Sequence, residues 1–287
     1  MDRIYVYPER VEYMVLPRMT ALAEVLWSAV ENKSWSSFQQ RLKPVVNQLK
    51  GLSYTVAESD CKVLASATVE SENLCVNLSV ASAALEIRYT LDGSKPTIQS
   101  EIYQLPLPIT AMTVVRAIAF DSDNNKAYGD ERLTVVPHKA IGKTISVQQA
   151  SEQTASLLVN GQLATDRIFQ FHEWYAIDES GLTAIIELES LAELSGVDIG
   201  YQAGLYRTLY LPTAIKLWVS TDQQEWQLVA AVETQQIQQS SPRIDIPFSA
   251  IYSRYLKVDV ENTNRGFSEE DNAVIAMPVY IDEIVVR

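Results

Sequence analysis

The chain has 287 residues, of which 47% are hydrophobic, so it is long enough for two or three globular domains. Its formal net charge is −13, from 23 Lys and Arg against 36 Asp and Glu, and a surface of this sign repels phosphate backbones. The charge argues against a nucleic-acid partner but not against a neutral ligand. No apolar run approaches the roughly 20 residues that span a bilayer. Residues 1–8 lack the pattern of a signal peptide, so we expect no export signal in the printed chain.

Residues 1–54 are predicted to be helical. After Pro17 the apolar side chains recur at three- and four-residue spacing, which is the helical period. They are Met19, Leu22, Ala23, Leu26 and Trp27. A second helix is expected to have Ser34 as its N-cap, a kink at Pro44 and its end at Gly51. Because each helix has one strongly apolar face, we expect the pair to lie against another surface.

Between residues 55 and 140 the apolar period changes to two, which indicates β-strands. The predicted strands are 61–69, 74–80, 86–91, 113–120 and 131–136. Polar turn clusters separate them, among them Asp92-Gly93-Ser94, and Asp-Gly is a strong hairpin signal. This spacing predicts a β-sandwich of immunoglobulin-like size.

Residues 141–287 form a second predicted all-β unit, which begins after His138-Lys139-Ala140. Its predicted strands are 144–148, 183–189, 196–201, 214–219, 226–232, 243–246, 254–261 and 279–286. Their number and length are typical of a jelly roll. The expected fold class is therefore mainly β, with an N-terminal helical segment, an immunoglobulin-like β-sandwich and a jelly-roll β-sandwich.

The two cysteines, Cys61 and Cys75, flank a predicted hairpin turn at 69–73. They would face each other on neighbouring strands only if the turn were centred near residue 68, which is earlier than the turn residues suggest. A disulfide in an oxidising compartment and two small thiols packed as hydrophobes both fit this spacing, and we favour free thiols.

The segment Ile87–Thr97 is an alternating strand that enters an Asp-Gly turn and then meets Pro96, which cannot continue a strand ladder. This segment resembles the β-sandwich that follows the catalytic barrel in bacterial β-N-acetylhexosaminidases, the family 20 glycoside hydrolases. Further positions of the resemblance are Ser100, Tyr103, Pro106 or Pro108, and Val115-Arg116-Ala117.

The flanking segments extend the resemblance to nearly the whole chain, as domains 1–54, 55–140 and 141–287. The first is similar to the last helix of such a barrel. Its matching positions are Glu12-Tyr13-Met14, Pro17-Arg18, Ala21-Leu22-Ala23-Glu24, Trp27-Ser28, Trp35, Phe38, Arg41-Leu42, Leu49, Gly51 and Tyr54. The last is similar to discoidin, or F5/8 type C, domains, which include family 32 carbohydrate-binding modules. Its matching positions are Leu158-Val159-Asn160-Gly161, Trp174, Ile185-Ile186-Glu187-Leu188, Leu211-Pro212, Val219-Ser220-Thr221-Asp222, Trp226 and Ile281-Asp282-Glu283-Ile284-Val285.

The resemblance implies a glycosidase chemistry whose catalytic motif is missing from the sequence. Family 20 enzymes are expected to cleave terminal N-acetylhexosamine by attack of the substrate's own acetamido oxygen, with an Asp that orients it and a Glu as general acid. Those residues lie in a His-x-Gly-Gly-Asp-Glu motif, which does not occur here. Gly129-Asp130-Glu131 spells the end of the motif, but Ala127-Tyr128 precede it, and we interpret it as a solvated loop. We therefore expect no catalytic residue in the chain and no hydrolase activity from the chain alone.

No cofactor is expected to be required, and His138 and His172 show no zinc-binding spacing. Discoidin-like domains often hold a structural calcium ion near their first loop and last strand. By position, the resemblance gives Asn160, Asp166 and Glu283 as the candidate calcium ligands. Asn160 stands where that pattern usually has Asp, which weakens the site.

Two loops of the last domain combine rings with polar groups, as sugar-binding loops do. The candidate glycan-binding residues are Phe171, His172 and Trp174 in the first loop, and Asn264, Arg265 and Phe267 in the second. Phe171 and Trp174 also fit a role in the hydrophobic core, and for Trp174 we favour that interpretation. A third aromatic cluster, of Tyr201, Tyr206 and Tyr210, equally fits packing against the neighbouring sandwich.

The leading hypothesis is that the chain is the non-catalytic C-terminal part of a β-N-acetylhexosaminidase-like glycoside hydrolase. It would serve as a scaffold and as an appendage that binds N-acetylhexosamine-containing glycans. The alternatives are an autonomous lectin-like module and a purely structural pair of domains. The family implies a periplasmic, cell-surface or secreted location. The apolar helix faces predict either docking onto the first sandwich or self-association.

Overall fold

The computed structural model describes residues 8–57, 61–70, 73–82, 85–121, 125–147, 155–165, 173–202, 211–233, 243–268 and 273–287. The chain divides into two compact units, Met1–Lys62 and Val63–Arg287. The first unit covers the predicted helical segment 1–54 and the first eight residues of the predicted domain 55–140, and the second unit covers the rest of both predicted β-domains. In the part of the chain that is described, no helix is long and apolar enough to cross a membrane.

The first unit contains three helices, α1 (Pro8–Val15), α2 (Arg18–Trp27) and α3 (Trp35–Gly51), with a 3-10 turn at Val30–Asn32. The predicted N-cap of α3 is confirmed, because the Ser34 hydroxyl accepts a hydrogen bond from the backbone N–H of Ser37. The guanidinium of Arg41 on α3 donates to both carboxylate oxygens of Glu24 on α2, at 2.9 and 2.6 Å. This bidentate pair fixes α2 against α3.

The second unit begins with a β-sandwich whose strands follow the period-two prediction. One sheet contains β1 (Val63–Glu70), β2 (Asn73–Val80) and β5 (Leu107–Ile109) in the order β1-β2-β5. The other contains β3 (Leu85–Thr90), β4 (Glu101–Ile102), β6 (Thr113–Asp121), β7 (Ala127–Val135) and β9 (Gln162–Leu163) in the order β4-β3-β6-β7-β9. A hydrophobic core that includes Val76, Ile87 and Val115 lies between the two sheets.

The first sandwich tests two sequence predictions, the pairing of Cys61 with Cys75 and the position of Gly129-Asp130-Glu131. Cys75 is buried opposite Thr68 in the β1–β2 hairpin, whereas Cys61 precedes β1, so the register does not bring the two cysteines opposite each other. The interpretation of Gly129-Asp130-Glu131 as a loop is wrong, since these residues lie within β7. There Asp130 forms a bidentate ion pair with Arg116 of β6 at 2.7 Å, which is a cross-strand contact of the sheet.

The turn after β3 shows why the sequence has Asp-Gly there. Gly93 has a φ of +76°, and a Cβ at this position would lie 2.9 Å from Cγ1 of Val114. The Asp92 carboxylate accepts hydrogen bonds from the backbone N–H and the hydroxyl of Ser94, which closes the turn. Glycine is therefore required both by the backbone conformation and by the space.

The second sandwich of this unit is built on a large antiparallel sheet. Its strands are β8 (Thr144–Val147), β10 (Tyr175–Ile177), β11 (Leu182–Tyr201), β12 (Ala214–Ser220), β13 (Gln227–Glu233), β14 (Arg243–Glu261) and β17 (Val279–Val286). They are arranged in the order β10-β17-β11-β14-β12-β13, with β8 paired to β11. A hairpin of β15 (Arg265–Ser268) and β16 (Ala273–Ala276) stands apart from it.

The predicted strands 183–189 and 196–201 are two halves of one strand, β11. A register shift lies between Glu187 and Ala192, and Glu189 there has a φ of +65°. The first half of β11 lies between β8 and β14, and the second half lies between β14 and β17. The bulge therefore turns the strand from one layer of the sandwich to the other. Strand β14 likewise contains both predicted strands 243–246 and 254–261.

The two sandwiches have separate hydrophobic cores but share backbone pairing. Ala140 belongs to the core of the second sandwich, and the next residue, Ile141, packs against the core of the first. Strand β9, which follows β8 in sequence, adds to the sheet of the first sandwich by pairing Leu163 with Thr134 of β7. The chain therefore passes three times between the sandwiches, from β7 to β8, from β8 to β9 and from β9 to β10.

Candidate functional site

The loop that follows β14 is held by a buried amide. Asn262 is 2% exposed, and its Nδ2 donates to the carbonyl oxygens of Ile177 and Met277, at 3.0 and 2.8 Å. Its Oδ1 accepts hydrogen bonds from both the backbone N–H and the side-chain amide of Asn264. Asn262 therefore joins the ends of β10, β14 and the segment before β17 at one edge of the second sandwich.

Two of the predicted glycan-binding residues lie in this loop and differ in their exposure. The Asn264 amide also donates to the carbonyl oxygen of Leu211 at 2.8 Å, so its side chain already has hydrogen-bond partners within the protein. Arg265 is half exposed, and its Nη2 donates to Oε2 of Glu179 at 3.0 Å, a residue of the turn between β10 and β11. Arg265 and Glu179 are therefore the groups at this edge that an external ligand can reach.

The other predicted glycan-binding residues are not brought into this loop by the described structure. Trp174 is 7% exposed, and this burial agrees with the interpretation of it as a packed residue. The backbone of Phe267 pairs with that of Val274 in the β15–β16 hairpin. Phe171 and His172 lie outside the described residues, as do Tyr206 and Tyr210 of the third aromatic cluster.

The candidate calcium ligands Asn160 and Glu283 lie together, but their oxygens face N–H groups. Oε1 of Glu283 lies 2.7 Å from Nε2 of His138 and 2.8 Å from the backbone N of Gly161, and Oε2 lies 3.1 Å from the backbone N of Asn160. The side-chain oxygen of Asn160 accepts from the backbone N–H of Gln162 at 2.7 Å. A calcium ion needs six to eight oxygen ligands, so these two residues do not fit it in this arrangement. Asp166 lies outside the described residues, among which no cluster of metal-ligating side chains occurs.

The hydrogen bonds around His138 assign the tautomer of its ring. Its Nδ1 lies 3.2 and 3.3 Å from the backbone N–H groups of Ala140 and Val286, both of which donate to it. The ring proton therefore sits on Nε2 and is donated to Glu283, which is completely buried. Burial raises the pKa of the Glu283 carboxyl, and the hydrogen bond from His138 opposes that rise.

A second buried carboxylate, Asp282, lies next to Glu283 and has a cation as its partner. Nη1 of Arg243 lies 3.0 Å from both carboxylate oxygens of Asp282, and the backbone N–H groups of Ala164 and Gly200 donate to it as well. Burial raises the pKa of Asp282, and the charge of Arg243 opposes the rise. The two carboxylates are part of the packing between β17, β9 and the first sandwich, and they are closed to an external ligand.

The outer face of the large sheet carries an open groove of about 530 Å³. We call it the Trp218 groove, and its side chains that carry chemistry are Thr183, Lys216, Trp218, Lys257, Asp259 and Glu261. They come from three neighbouring strands, because Asp259 of β14 pairs with Thr183 of β11 and with Lys216 of β12. Glu179 lies at the edge of the groove and accepts the hydrogen bond of Arg265, so the Glu179–Arg265 pair marks one end of the groove.

Each charge in the Trp218 groove has a partner of opposite sign. Lys216 donates to Glu261 at 2.6 Å, and this hydrogen bond raises the pKa of Lys216. Asp259 accepts from the hydroxyl of Thr183 at 2.9 Å and lies 3.9 Å from the ammonium of Lys257. The groove therefore offers donors and acceptors side by side without an excess of either charge.

The aromatic part of the groove is organised by Lys257. Its ammonium lies 4.7 Å from the ring centroid of Trp218 and 4.9 Å from that of Trp226, within the range of cation–π attraction. Nε1 of Trp218 is shielded from solvent and has no hydrogen-bond partner among the described residues. Trp218 therefore contributes its ring, and not its N–H, to the groove.

The sequence interpretation missed this groove, although a signal for it was present. Strand β12 alternates buried and half-buried positions, and its half-buried positions are Lys216 and Trp218. A tryptophan on the same face as a lysine, in a strand whose other face is apolar, indicates an aromatic ring on the outer surface of the sheet. The candidate glycan-binding residues were predicted in the loops instead, because the sugar sites of jelly rolls usually lie there.

Comparison with solved structures gives small carbohydrate-binding proteins that align with about half of this chain. The CpGH89CBM32-6 protein of Clostridium perfringens is 15% identical, with a TM-score of 0.34, over 52% of this chain and 98% of that one. The lectin domain of lectinolysin, solved with Lewis B antigen, is 17% identical, with a TM-score of 0.39, over 52% of this chain and 95% of that one.

A chitosan-binding module from the chitosanase/glucanase of Paenibacillus sp. IK-5 is 17% identical, with a TM-score of 0.36, over 52% of this chain and 98% of the module. In sequence, the chain is 27% identical over 119 residues to a β-hexosaminidase of Porphyromonas gingivalis. This match covers 40% of the chain and only 15% of the relative. Within the first sandwich, residues 64–128 match the family described as the chitobiase/β-hexosaminidase C-terminal domain, as the Ile87–Thr97 segment predicted.

Proposed function

We propose that the chain is an accessory, non-catalytic part of a β-N-acetylhexosaminidase-like glycoside hydrolase, and that its second sandwich binds glycans. The match of residues 64–128 to a domain of such enzymes is the observation that carries this proposal. The His-x-Gly-Gly-Asp-Glu motif does not occur in the sequence, which supports a non-catalytic role for it. The chain functions in the periplasm, at the cell surface or as a secreted protein, where such glycans are found.

The ligands that we propose are N-acetylhexosamine-containing glycans. At the loop edge, Arg265 and Glu179 offer a hydrogen-bond donor and an acceptor that are about half exposed. Sugar hydroxyl and acetamido groups both donate and accept, so they can bond to such a pair without a net charge of their own. The charge of −13 is no obstacle to a neutral glycan.

Two measurements on the purified full chain test this function. With p-nitrophenyl N-acetylglucosaminide we expect no release of p-nitrophenol above the background of a heat-denatured sample. By isothermal titration calorimetry we expect binding of tri-N-acetylchitotriose. Appreciable turnover by the pure chain would refute the non-catalytic role. The absence of heat with chitotriose and with a panel of other glycans, from a folded chain, would favour the purely structural alternative.

The junction between the sandwiches supports a joint unit over an autonomous module. An isolated second sandwich, residues 144–287, would lose His138, which donates to the completely buried carboxylate of Glu283. It would also lose β7, the partner of β9. A buried carboxylate without its donor is costly, so we expect the 144–287 fragment to be less stable than the same residues within the chain.

A further inference from the structure

We infer that the Trp218 groove is an extended binding site for a neutral oligosaccharide, which runs from the outer face of the large sheet to the Glu179–Arg265 pair at its edge. This inference rests on the proposed function, because it names the surface on which the second sandwich binds its glycan. A groove on the face of a sheet accommodates several sugar units in a row, whereas a loop pocket at the end of a sandwich holds one chain end.

The charges of the groove select the class of ligand. Lys216 is paired with Glu261 and Lys257 with Asp259, and Glu179 at the edge is paired with Arg265. A phosphate or a uronic acid would have to displace one of these carboxylates from its cation. A neutral sugar needs no such exchange, because its hydroxyls can donate to the carboxylates and accept from the ammonium groups. The groove is therefore built for hydroxyls and not for anions.

The ring of Trp218 supplies the apolar component that sugar binding requires. An ammonium held over a ring centroid covers one face of that ring, and Lys257 takes this position on Trp218 and on Trp226. Trp218 is half-buried and lines the groove, so the part of its ring that the Lys257 ammonium leaves uncovered can contact the C–H face of a pyranose. Because Nε1 of Trp218 is shielded, recognition by this residue depends on its ring alone.

The polar partners lie on one side of this ring along the groove, because Lys216 of β12 and Asp259 of β14 are opposite each other in register. Lys216 is two positions before Trp218 on β12, and Asp259 is two positions after Lys257 on β14. Thr183 extends the same row onto β11 through its hydrogen bond to Asp259. Three strands therefore present one aromatic platform followed by a row of donors and acceptors, which leads to the Glu179–Arg265 pair at the edge.

The test is calorimetric titration of the full chain with tri-N-acetylchitotriose and, in parallel, with cellotriose, in wild type and in five variants, of which Arg265→Ala probes the edge of the groove. Trp218→Ala should weaken binding about tenfold or more, whereas Trp218→Phe, which keeps a stacking ring, should retain most of it. Lys216→Gln should weaken binding severalfold. Lys143→Gln is the matched control, since Lys143 also pairs with an exposed glutamate, Glu189, but outside the groove. Its affinity should equal that of the wild type.

The outcomes distinguish binding in the Trp218 groove from binding at Arg265 alone. They also distinguish failure of the groove proposal from failure of the proposed function. If the wild type binds and Arg265→Ala abolishes binding while Trp218→Ala and Lys216→Gln do not change it, the groove is refuted and the proposed function stands. If the folded wild type binds neither trisaccharide nor any other glycan, both fail. Should Trp218→Ala not fold, the half-exposed Lys216→Gln decides alone. Tighter binding of a uronic-acid trisaccharide than of either neutral trisaccharide would contradict the selection of a neutral ligand.

Discussion

Nε2 of His138 donates a 2.7 Å hydrogen bond to Oε1 of Glu283, across a sequence separation of 145 residues and between two sandwiches. His138 follows β7 of the first sandwich, and Glu283 lies in β17 of the second. Their side chains are 1% and 0% exposed. Within the described part of the chain, the other groups that bond to the Glu283 carboxylate are the backbone N–H groups of Asn160 and Gly161. The stability of the second sandwich therefore depends on His138, a residue that precedes its strands in sequence.

Replacement of His138 by Ala should destabilise the β-unit strongly. The buried carboxylate would lose the one side-chain donor that it has among the described residues, and the loss of a hydrogen bond to a buried charged group costs about 2–3 kcal/mol. The free energy of unfolding is measured by urea titration with intrinsic fluorescence. Arg116→Ala is the control, because its partner Asp130 is 42% exposed and such pairs contribute less than about 1 kcal/mol. Equal losses for the two variants would contradict a special role for the His138–Glu283 contact.

The close packing of Asp282 against β11 predicts a strong effect at Gly200. A Cβ at Gly200 would lie 2.5 Å from Nη1 of Arg243 and closer still to Oδ1 of Asp282. Gly200→Ala must therefore displace a buried ion pair, and we expect a loss of about 2 kcal/mol in the free energy of unfolding. At Gly51, near the end of α3, a Cβ would meet nothing within 4 Å. Gly51→Ala should be neutral or slightly stabilising, and a similar loss at both positions would contradict the steric explanation.

Local sequence patterns were sufficient to predict most of the helices and strands, but not how distant parts of the chain pair with one another. The three- and four-residue spacing after Pro17 and the Ser34 cap predicted helices that the structure contains. The alternation in residues 55–140 likewise predicted β1, β2, β3, β6 and most of β7, but not the short strands β4, β5 and β9 of the first sandwich. The continuity of β11 could not be predicted, because the bulge after Glu187 interrupts the alternation in the way that a loop does.

The candidate site was harder to predict for a physical reason. Whether Asn160 and Glu283 bind a metal or a proton donor depends on His138, which is close to neither in sequence. The same limit applies to the Trp218 groove, since the pairing of Lys216 with Asp259 exists only once β12 and β14 are adjacent. Sequence patterns identify which face of a strand is outward, and the register of neighbouring strands then decides what that face contains.

The Glu24–Arg41 pair predicts an acid dependence of the helical unit. The hydrogen bond from Arg41 lowers the pKa of Glu24 below its ordinary value of 4.5, so the folded state binds this proton more weakly than the unfolded state does. The stabilisation is therefore complete above about pH 4.5 and is lost as the pH falls through the lowered pKa. Helical ellipticity during thermal unfolding should differ between wild type and Glu24→Gln at pH 6 and converge at low pH. Glu31→Gln is the control on the neighbouring turn, and a difference that grows on acidification would contradict the prediction.

The apolar face of α2 predicts self-association of the chain. Leu22, Leu26 and Trp27 are 57%, 69% and 88% exposed, although an amphipathic helix normally buries such side chains. A contiguous apolar surface of this kind drives association in water. Multi-angle light scattering at increasing protein concentration should show a mass above 32.1 kDa for the wild type.

The double variant Leu26→Ser and Trp27→Ser should shift this equilibrium towards the monomer, because it removes the two most exposed of these side chains. Met112→Ser is the matched control, since Met112 is 63% exposed on the first sandwich, away from the helices in sequence. We expect it to associate as the wild type does. A wild-type chain that stays monomeric at all concentrations, with Trp27 accessible to a soluble fluorescence quencher, would contradict the prediction. An equal shift in the double variant and in Met112→Ser would show that general surface hydrophobicity, and not the α2 face, causes the association.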